Sequence, residues 1–97
     1  MDRAAIVAIL TQHKPELQRR FGVLHLALFG SRARDDATRQ DSDADILVAF
    51  DGPAISARYF GTQFYLEDLL GCPVDLVTDK ALRPQLRPLV ERDAIRV

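Results

Sequence analysis

Two seven-residue apolar runs constrain this chain more than any other feature. They are Val23-Leu24-His25-Leu26-Ala27-Leu28-Phe29 and Ala44-Asp45-Ile46-Leu47-Val48-Ala49-Phe50. Gly22 and Gly30-Ser31 bracket the first, and Asp51-Gly52-Pro53 closes the second. Short apolar runs bounded by turn residues read as buried strands rather than helices. A third run, 73–77, is shorter and of the same kind. Strands this apolar must lie in a sheet covered by other elements.

The segments between the runs supply that cover. Asp2 can cap a helix over 3–12, where Ile6, Ile9, Leu10 and His13 recur at helical spacing. Pro15 fits the first position of a second short helix that runs to Arg20 and stops at Gly22. Residues 32–37 suit one or two helical turns, and 38–42 form a polar loop. Residues 56–70 predict a helix with a wide apolar band, ended by Gly71. Leu82, Leu86, Leu89 and Val90 suggest a last short helix with Pro88 at its start, after which 94–97 return as an edge strand. This order predicts an α/β (α+β) chain, a small mixed sheet flanked by helices, with residues 1–97 forming a single domain.

Composition narrows the function classes. Hydrophobic residues at 47% and charged residues at 28% favour folding over disorder. A net charge of −1 offers no basic excess for counterion release, so direct nucleic-acid binding is not expected. The single cysteine, Cys72, allows no internal disulfide. No run approaches the ~18 apolar residues of a membrane span, and the first residues lack a signal-peptide layout, so a cytoplasmic protein without membrane association is the expectation.

The oddity is Asp43-Ala44-Asp45 at the head of an apolar strand. Residues i and i+2 of a strand point to one face, so two carboxylates would stand side by side. Like charges so close repel unless a cation sits between them, and Mg²⁺ is a cation that carboxylates share with substrate phosphates. Asp75 lies in another apolar strand, Val74-Asp75-Leu76-Val77, where a charge is costly without a partner or a task. If the two strands are neighbours, three carboxylates converge in the layout that holds two metal ions around a phosphoryl displacement. Gly30-Ser31 ends a strand and opens a helical turn, where backbone N–H groups can meet phosphate. Each feature alone has a plainer reading. The paired aspartates can belong to a solvated loop, Asp75 can face water at a strand edge, and Ser31 can be an ordinary N-cap.

Other motifs fail. Asp41-Ser42-Asp43-Ala44-Asp45 opens like a calcium loop, but Ile46 stands where that loop needs glycine and Gly52 where it needs glutamate. No Walker A or Rossmann glycine pattern is present. His13 and His25 have no ligand-spaced partner for zinc, so His13 reads as a half-buried or exposed helix residue and His25 as a strand-face residue.

Taken together, Gly30-Ser31, Asp43-x-Asp45 and the later Asp75 resemble the nucleotidyltransferase superfamily that includes DNA polymerase beta. Leu28-Phe29-Gly30-Ser31-Arg32-Ala33-Arg34, Ser42-Asp43-Ala44-Asp45-Ile46-Leu47-Val48 and the stretch from Leu66 to Thr78 are similar to its minimal members, which pair with HEPN ribonuclease toxins. The resemblance implies a nucleotidyltransferase fold and a metal-dependent transfer of a nucleoside monophosphate, AMP from ATP, to a hydroxyl. It implies that Gly30 and Ser31 hold the triphosphate, with Arg34, or Arg32, on phosphate. Asp43, Asp45 and Asp75 become the catalytic carboxylates and ligands of two Mg²⁺ ions, Asp75 serving as a ligand or as the base for the attacking hydroxyl. The implied acceptor is a tyrosine of a cognate HEPN toxin, with this chain as antitoxin. The alternative is a non-catalytic module that neutralises its partner by contact. Two features depart from the family pattern. Asp35 stands where many relatives have glycine, and the segment 32–42 between Ser31 and Asp43 is one residue longer than is common.

One expectation concerns surface. Tyr59, Phe60, Phe64, Tyr65, Leu66, Leu69 and Leu70 give the 56–70 helix more apolar area than one face can bury. A second side is then expected to meet another chain, a second copy or the toxin, with Tyr59 and Tyr65 as anchors.

Overall fold

The computed structural model describes residues 1–34 and 43–97. Along the chain run α1 (Arg3–Phe21), β1 (Val23–Phe29), α2 (Ser31–Arg34), β2 (Ala44–Phe50), α3 (Ser56–Leu70), β3 (Val74–Thr78), a 3₁₀ turn (Asp79–Ala81), α4 (Arg87–Asp93) and β4 (Ile95–Arg96). The expected polar loop 38–42, the continuation of α2 to 37, and Asp35 lie outside the described residues. Among the described residues the strands form one mixed sheet in the order β3-β2-β1-β4. β1 is antiparallel to β2 and β4, whereas β2 and β3 are parallel and joined through α3.

Alternation decides the layers. Ala44, Ile46 and Val48 of β2, and Val74 and Leu76 of β3, are buried with Ile6, Leu10 and Leu17 of α1 and Leu66 and Leu70 of α3. Asp45 and Leu47, and Asp75 and Val77, alternate with them and so project from the opposite face. The helix ends follow their chemistry. Asp2 Oδ1 accepts from the Ala5 N–H at 2.9 Å, and α1 stops at Gly22 with φ +73°.

The helix break expected near Pro15 does not occur, and α1 runs unbroken through it. An interior proline removes one backbone bond and crowds the preceding turn, at a cost of about 3 kcal/mol. Burial of Ile6 and Leu10 before it and Leu17 after it, at about 1.5–3 kcal/mol each, offsets that cost only if one straight element carries all three into the core.

β3 is an edge strand, and α3 covers its outer rim with side chains. Glu67 Oε2 accepts from the Val74 N–H at 2.9 Å, Gln63 Nε2 donates to the Val74 carbonyl at 3.1 Å, and the Tyr59 hydroxyl donates to the Leu76 carbonyl. These three residues fall at i, i+4 and i+8, one stripe of the helix. The stripe satisfies edge groups that would otherwise invite another strand, and it fixes where β3 lies beside β2.

The α3 surface divides differently from expectation. Tyr59 and Tyr65 are engaged within the chain, Tyr59 on β3 and Tyr65 with His13 Nδ1 at 3.1 Å. They are therefore not free anchors for a partner. Phe60 and Phe64 remain exposed and stack on each other at 6.2 Å between centroids.

Candidate active site

The sheet register brings two of the three sequence-predicted carboxylates, Asp45 and Asp75, together. Asp45 lies opposite Phe29 in β1 and opposite Asp75 in β3, so one cross-strand row reads Phe29, Asp45, Asp75. Parallel neighbours in register share a face about 4.8 Å apart, which stands the two carboxyls side by side. Asp43 precedes β2 by one residue. The charges of Asp75 and Asp43 both act on the Asp45 carboxyl.

The cost of this arrangement falls on Asp45. Burial first, then the charges of Asp75 and Asp43, push its pKa up to about 6, against a smaller opposing pull from Arg34. Burial and the Asp75 charge also raise Tyr59. A cation placed beside a carboxyl pushed up in this way would favour its ionised form. Among the described residues no group of three or more His, Cys, Asp or Glu side chains is gathered closely enough to hold a metal ion as it stands. The pair Asp45–Asp75 is the nucleus, and Asp43 acts on it at longer range. That donor set fits Mg²⁺, which takes one or two protein carboxylates and completes its shell with water and substrate phosphate.

Gly30 forms the next wall. It holds φ +74°, and a Cβ there would collide with Asp45 Oδ2 and lie 3.0 Å from Asp45 Cγ. Only glycine lets β1 turn away while the Asp45 carboxylate occupies that space. Its carbonyl accepts from the Ala33 and Arg34 N–H groups at 3.0 and 3.1 Å, closing the short α2 that Ser31 begins. The N-terminal strand of contacts holds α2 in place: Arg3 Nη1 donates to the Ala33 carbonyl at 3.2 Å, and the buried Arg32 reaches the Met1 carbonyl at 3.4 Å. Arg32 is thus a packed side chain, whereas Arg34 is partly exposed on a cavity of about 270 Å³ that Gly30, Leu89, Arg92 and Asp93 also line.

A larger concavity of about 450 Å³ lies at the opposite end of the sheet, against Arg20, Gly22, Asp51 and Arg58. It lacks a carboxylate cluster among its lining residues, and its Asp51 is paired with Arg58 at 2.9 Å. Neither cavity is lined by Asp43, Asp45 or Asp75, so the Asp45–Asp75 pair beside Gly30 marks the candidate site, and cavity size does not.

Sequence reasoning missed two contributors. Asp93 was hidden because it meets Arg34 across 59 residues of chain with no local pattern. The Tyr59, Gln63, Glu67 stripe was readable in principle, as a polar line at helical spacing on an otherwise apolar helix.

The chain matches the family model described as a nucleotidyltransferase domain over residues 10–97. It is 42% identical over 92 residues to the protein adenylyltransferase MntA of Thermococcus cleftensis, covering 95% of this chain and 92% of that protein. A solved structure described as a minimal nucleotidyltransferase superposes with a TM-score of 0.77 at 40% identity, over 100% of this chain and 97% of the other. A toxin–antitoxin structure with AMP-PNP shares the fold, with a TM-score of 0.68 at 21% identity, over 99% of this chain and 72% of the other. Sequence and fold agree, and the chain belongs to the nucleotidyltransferase domain family of enzymes, among its minimal members.

Proposed function

We propose that this chain transfers AMP from ATP to a tyrosine hydroxyl of a cognate HEPN-type toxin, and so acts as its antitoxin. The observation that carries the reading is the Asp45–Asp75 pair, in register on adjacent parallel strands and backed by Gly30. The names of its relatives support the same direction: one is a protein adenylyltransferase, and a more distant structural neighbour is a toxin–antitoxin complex with AMP-PNP.

In this mechanism the triphosphate lies along Gly30 and Ser31, with the Arg34 guanidinium on phosphate oxygens. Asp43, Asp45 and Asp75 would hold Mg²⁺, two ions in the full site. When bound, Mg²⁺ neutralises phosphate charge and lowers the pKa of the attacking hydroxyl. The hydroxyl oxygen attacks the α-phosphorus in line, the bond from that phosphorus to the bridging oxygen breaks, and pyrophosphate leaves. Asp75, the most exposed of the strand carboxylates, accepts the hydroxyl proton. Asp45, half-buried between Gly30 and Asp75, holds the geometry.

The test uses purified chain, the protein encoded beside it, Mg²⁺, and ATP labelled at the α- or the γ-phosphate. The expected result is label transfer from the α position only, onto a tyrosine, lost in Asp45→Asn and in chelator. Transfer of γ-label, or transfer that survives Asp45→Asn undiminished, overturns the reading. Neutralisation of the partner by Asp45→Asn as effective as by the unaltered chain would favour the contact-only module.

A further inference from the structure

We infer that Glu67 and Tyr59 of α3 are positioning residues for the Asp75 carboxylate: they grip the outer backbone of β3 on either side of it and take the place of a neighbouring strand. The inference rests on the reading of Asp75 as a ligand or base for AMP transfer, and it names residues that reading does not require.

Of the two strand carboxylates, Asp75 has the weaker sheet support. Asp45 stands in β2, which pairs with β1 on one side and β3 on the other. Asp75 stands in β3, which pairs with β2 alone. Its side chain is exposed, between the buried Val74 and Leu76. A slip of one residue would turn Asp75 to the core face and carry Val74 and Leu76 out of it. The hold on β3 at this position therefore decides whether Asp75 stands beside Asp45 at all.

The α3 side chains supply the bonds that an outer strand would. Before Asp75, Glu67 Oε2 accepts from the Val74 N–H at 2.9 Å, and Gln63 Nε2 donates to the Val74 carbonyl at 3.1 Å. After it, the Tyr59 hydroxyl donates to the Leu76 carbonyl. Asp75 is thus bracketed by fixed peptide groups. Burial, and after it the charge of Asp75, raises the Tyr59 pKa, so the hydroxyl stays protonated and able to donate. A hydrogen bond to a carboxylate is the stronger kind, which makes Glu67 the principal grip. Both residues act on Asp75 through the backbone.

A purely structural role and a positioning role differ in what remains once the chain is folded. If Glu67 served stability alone, its loss would lower turnover no more than a core truncation does. If it positions Asp75, its loss slows the folded enzyme, because groups that orient a metal ligand typically carry about a 10–100-fold effect.

The α-label transfer assay compares Glu67→Ala, Glu67→Gln, Tyr59→Phe and Leu17→Ala, a core truncation in α1, at a temperature where all are folded. Glu67→Ala is expected to lower kcat about 10–100-fold with KM for ATP within about twofold. Glu67→Gln, whose amide oxygen can still accept from the Val74 N–H, should recover most of the loss. Tyr59→Phe should lose about threefold to tenfold, the worth of one hydrogen bond. Leu17→Ala should keep its kcat. Full kcat in Glu67→Ala, an equal loss in Leu17→Ala, or no recovery in Glu67→Gln overturns the inference. A second readout needs neither metal nor nucleotide: the ¹⁵N-relaxation order of the backbone amides. In Glu67→Ala the order parameter of Asp75 should fall from about 0.85 towards about 0.6, while that of Asp45 holds. An Asp75 amide as ordered in Glu67→Ala as in the unaltered chain overturns the inference. Loosening of Asp75 that Glu67→Gln restores, in a chain that transfers no AMP, instead overturns the transfer reading and leaves the grip on Asp75 intact.

Discussion

Two glycines with the same backbone conformation test the site most cleanly. Gly30 has φ +74° and Gly71 has φ +67°, both in the left-handed region. A Cβ on Gly71 meets nothing within 4 Å, whereas one on Gly30 collides with the Asp45 carboxylate. Gly71→Ala therefore carries the backbone penalty alone, about 1–2 kcal/mol. Gly30→Ala carries the same penalty and must also turn Asp45 off its position, adding about 0.5–1.5 kcal/mol for a strained rotamer. At about 4–8 °C per kcal/mol for a chain of this size, Gly71→Ala should lower Tm by roughly 5–15 °C and Gly30→Ala by several degrees more. The larger difference is expected in activity. A displacement of about 1 Å at a reacting centre costs on the order of 100-fold, so Gly30→Ala should lose AMP transfer by that factor while Gly71→Ala keeps it. Thermal denaturation and the α-label transfer assay, run on both variants at a temperature where both are folded, decide the matter. Equal transfer by the two variants would refute the argument that Gly30 exists to make room for Asp45.

Three further outcomes follow from particular contacts. Asp45 binds its proton more tightly folded than unfolded, with a pKa up from 3.8 to about 6, so it lowers stability as pH rises across that window. The full shift corresponds to about 3 kcal/mol, and solvent screening of this half-exposed group reduces it to about 1–2 kcal/mol. Asp45→Asn should therefore be more stable than the unaltered chain at pH 7 in metal-free urea melts, with the advantage shrinking as pH falls towards 4. Glu67→Ala removes the carboxylate that accepts from Val74 N–H at 2.9 Å, and should cost about 1–2 kcal/mol and speed hydrogen exchange of that amide over those of β1. Phe60→Ser and Phe64→Ser should change Tm little, because both rings are about half exposed, whereas Leu66→Ala in the core should cost about 2–5 kcal/mol by chemical denaturation.

The strands were legible because their signal is local. Val23–Phe29 and Ala44–Phe50 coincide with apolar runs bounded by glycine or Asp-Gly-Pro, and Ser56–Leu70 ends at Gly71 as its pattern required. Pro15 misled because a local rule met a tertiary gain, and burial on both sides of the proline outweighed the missing bond. Tyr59 and Tyr65 misled for a related reason. A phenol is apolar along its ring and polar at its tip, so sequence alone cannot say whether a partner chain or a neighbouring strand receives the hydroxyl. Here the Leu76 carbonyl and His13 do.

The candidate site shows where such legibility ends. Asp45 and Asp75 stood out because each breaks an apolar run, and a charge in such a place is expensive without a task. Asp93 breaks no pattern. Its neighbours Glu91 and Arg92 are charged, and nothing in that segment distinguishes it from a solvated residue. Only the fold, by carrying α4 back to the end of β1, turns it into a nearly buried carboxylate facing Arg34. Residues that carry charge into apolar surroundings can thus be found by their cost in the sequence. Residues that orient those charges sit in polar segments and pay nothing until the chain folds, so they emerge only from geometry. The same asymmetry separates Asp45 from Glu67. Both fix the row Phe29, Asp45, Asp75, one from within the strand and the other from a helix that merely passes beside it.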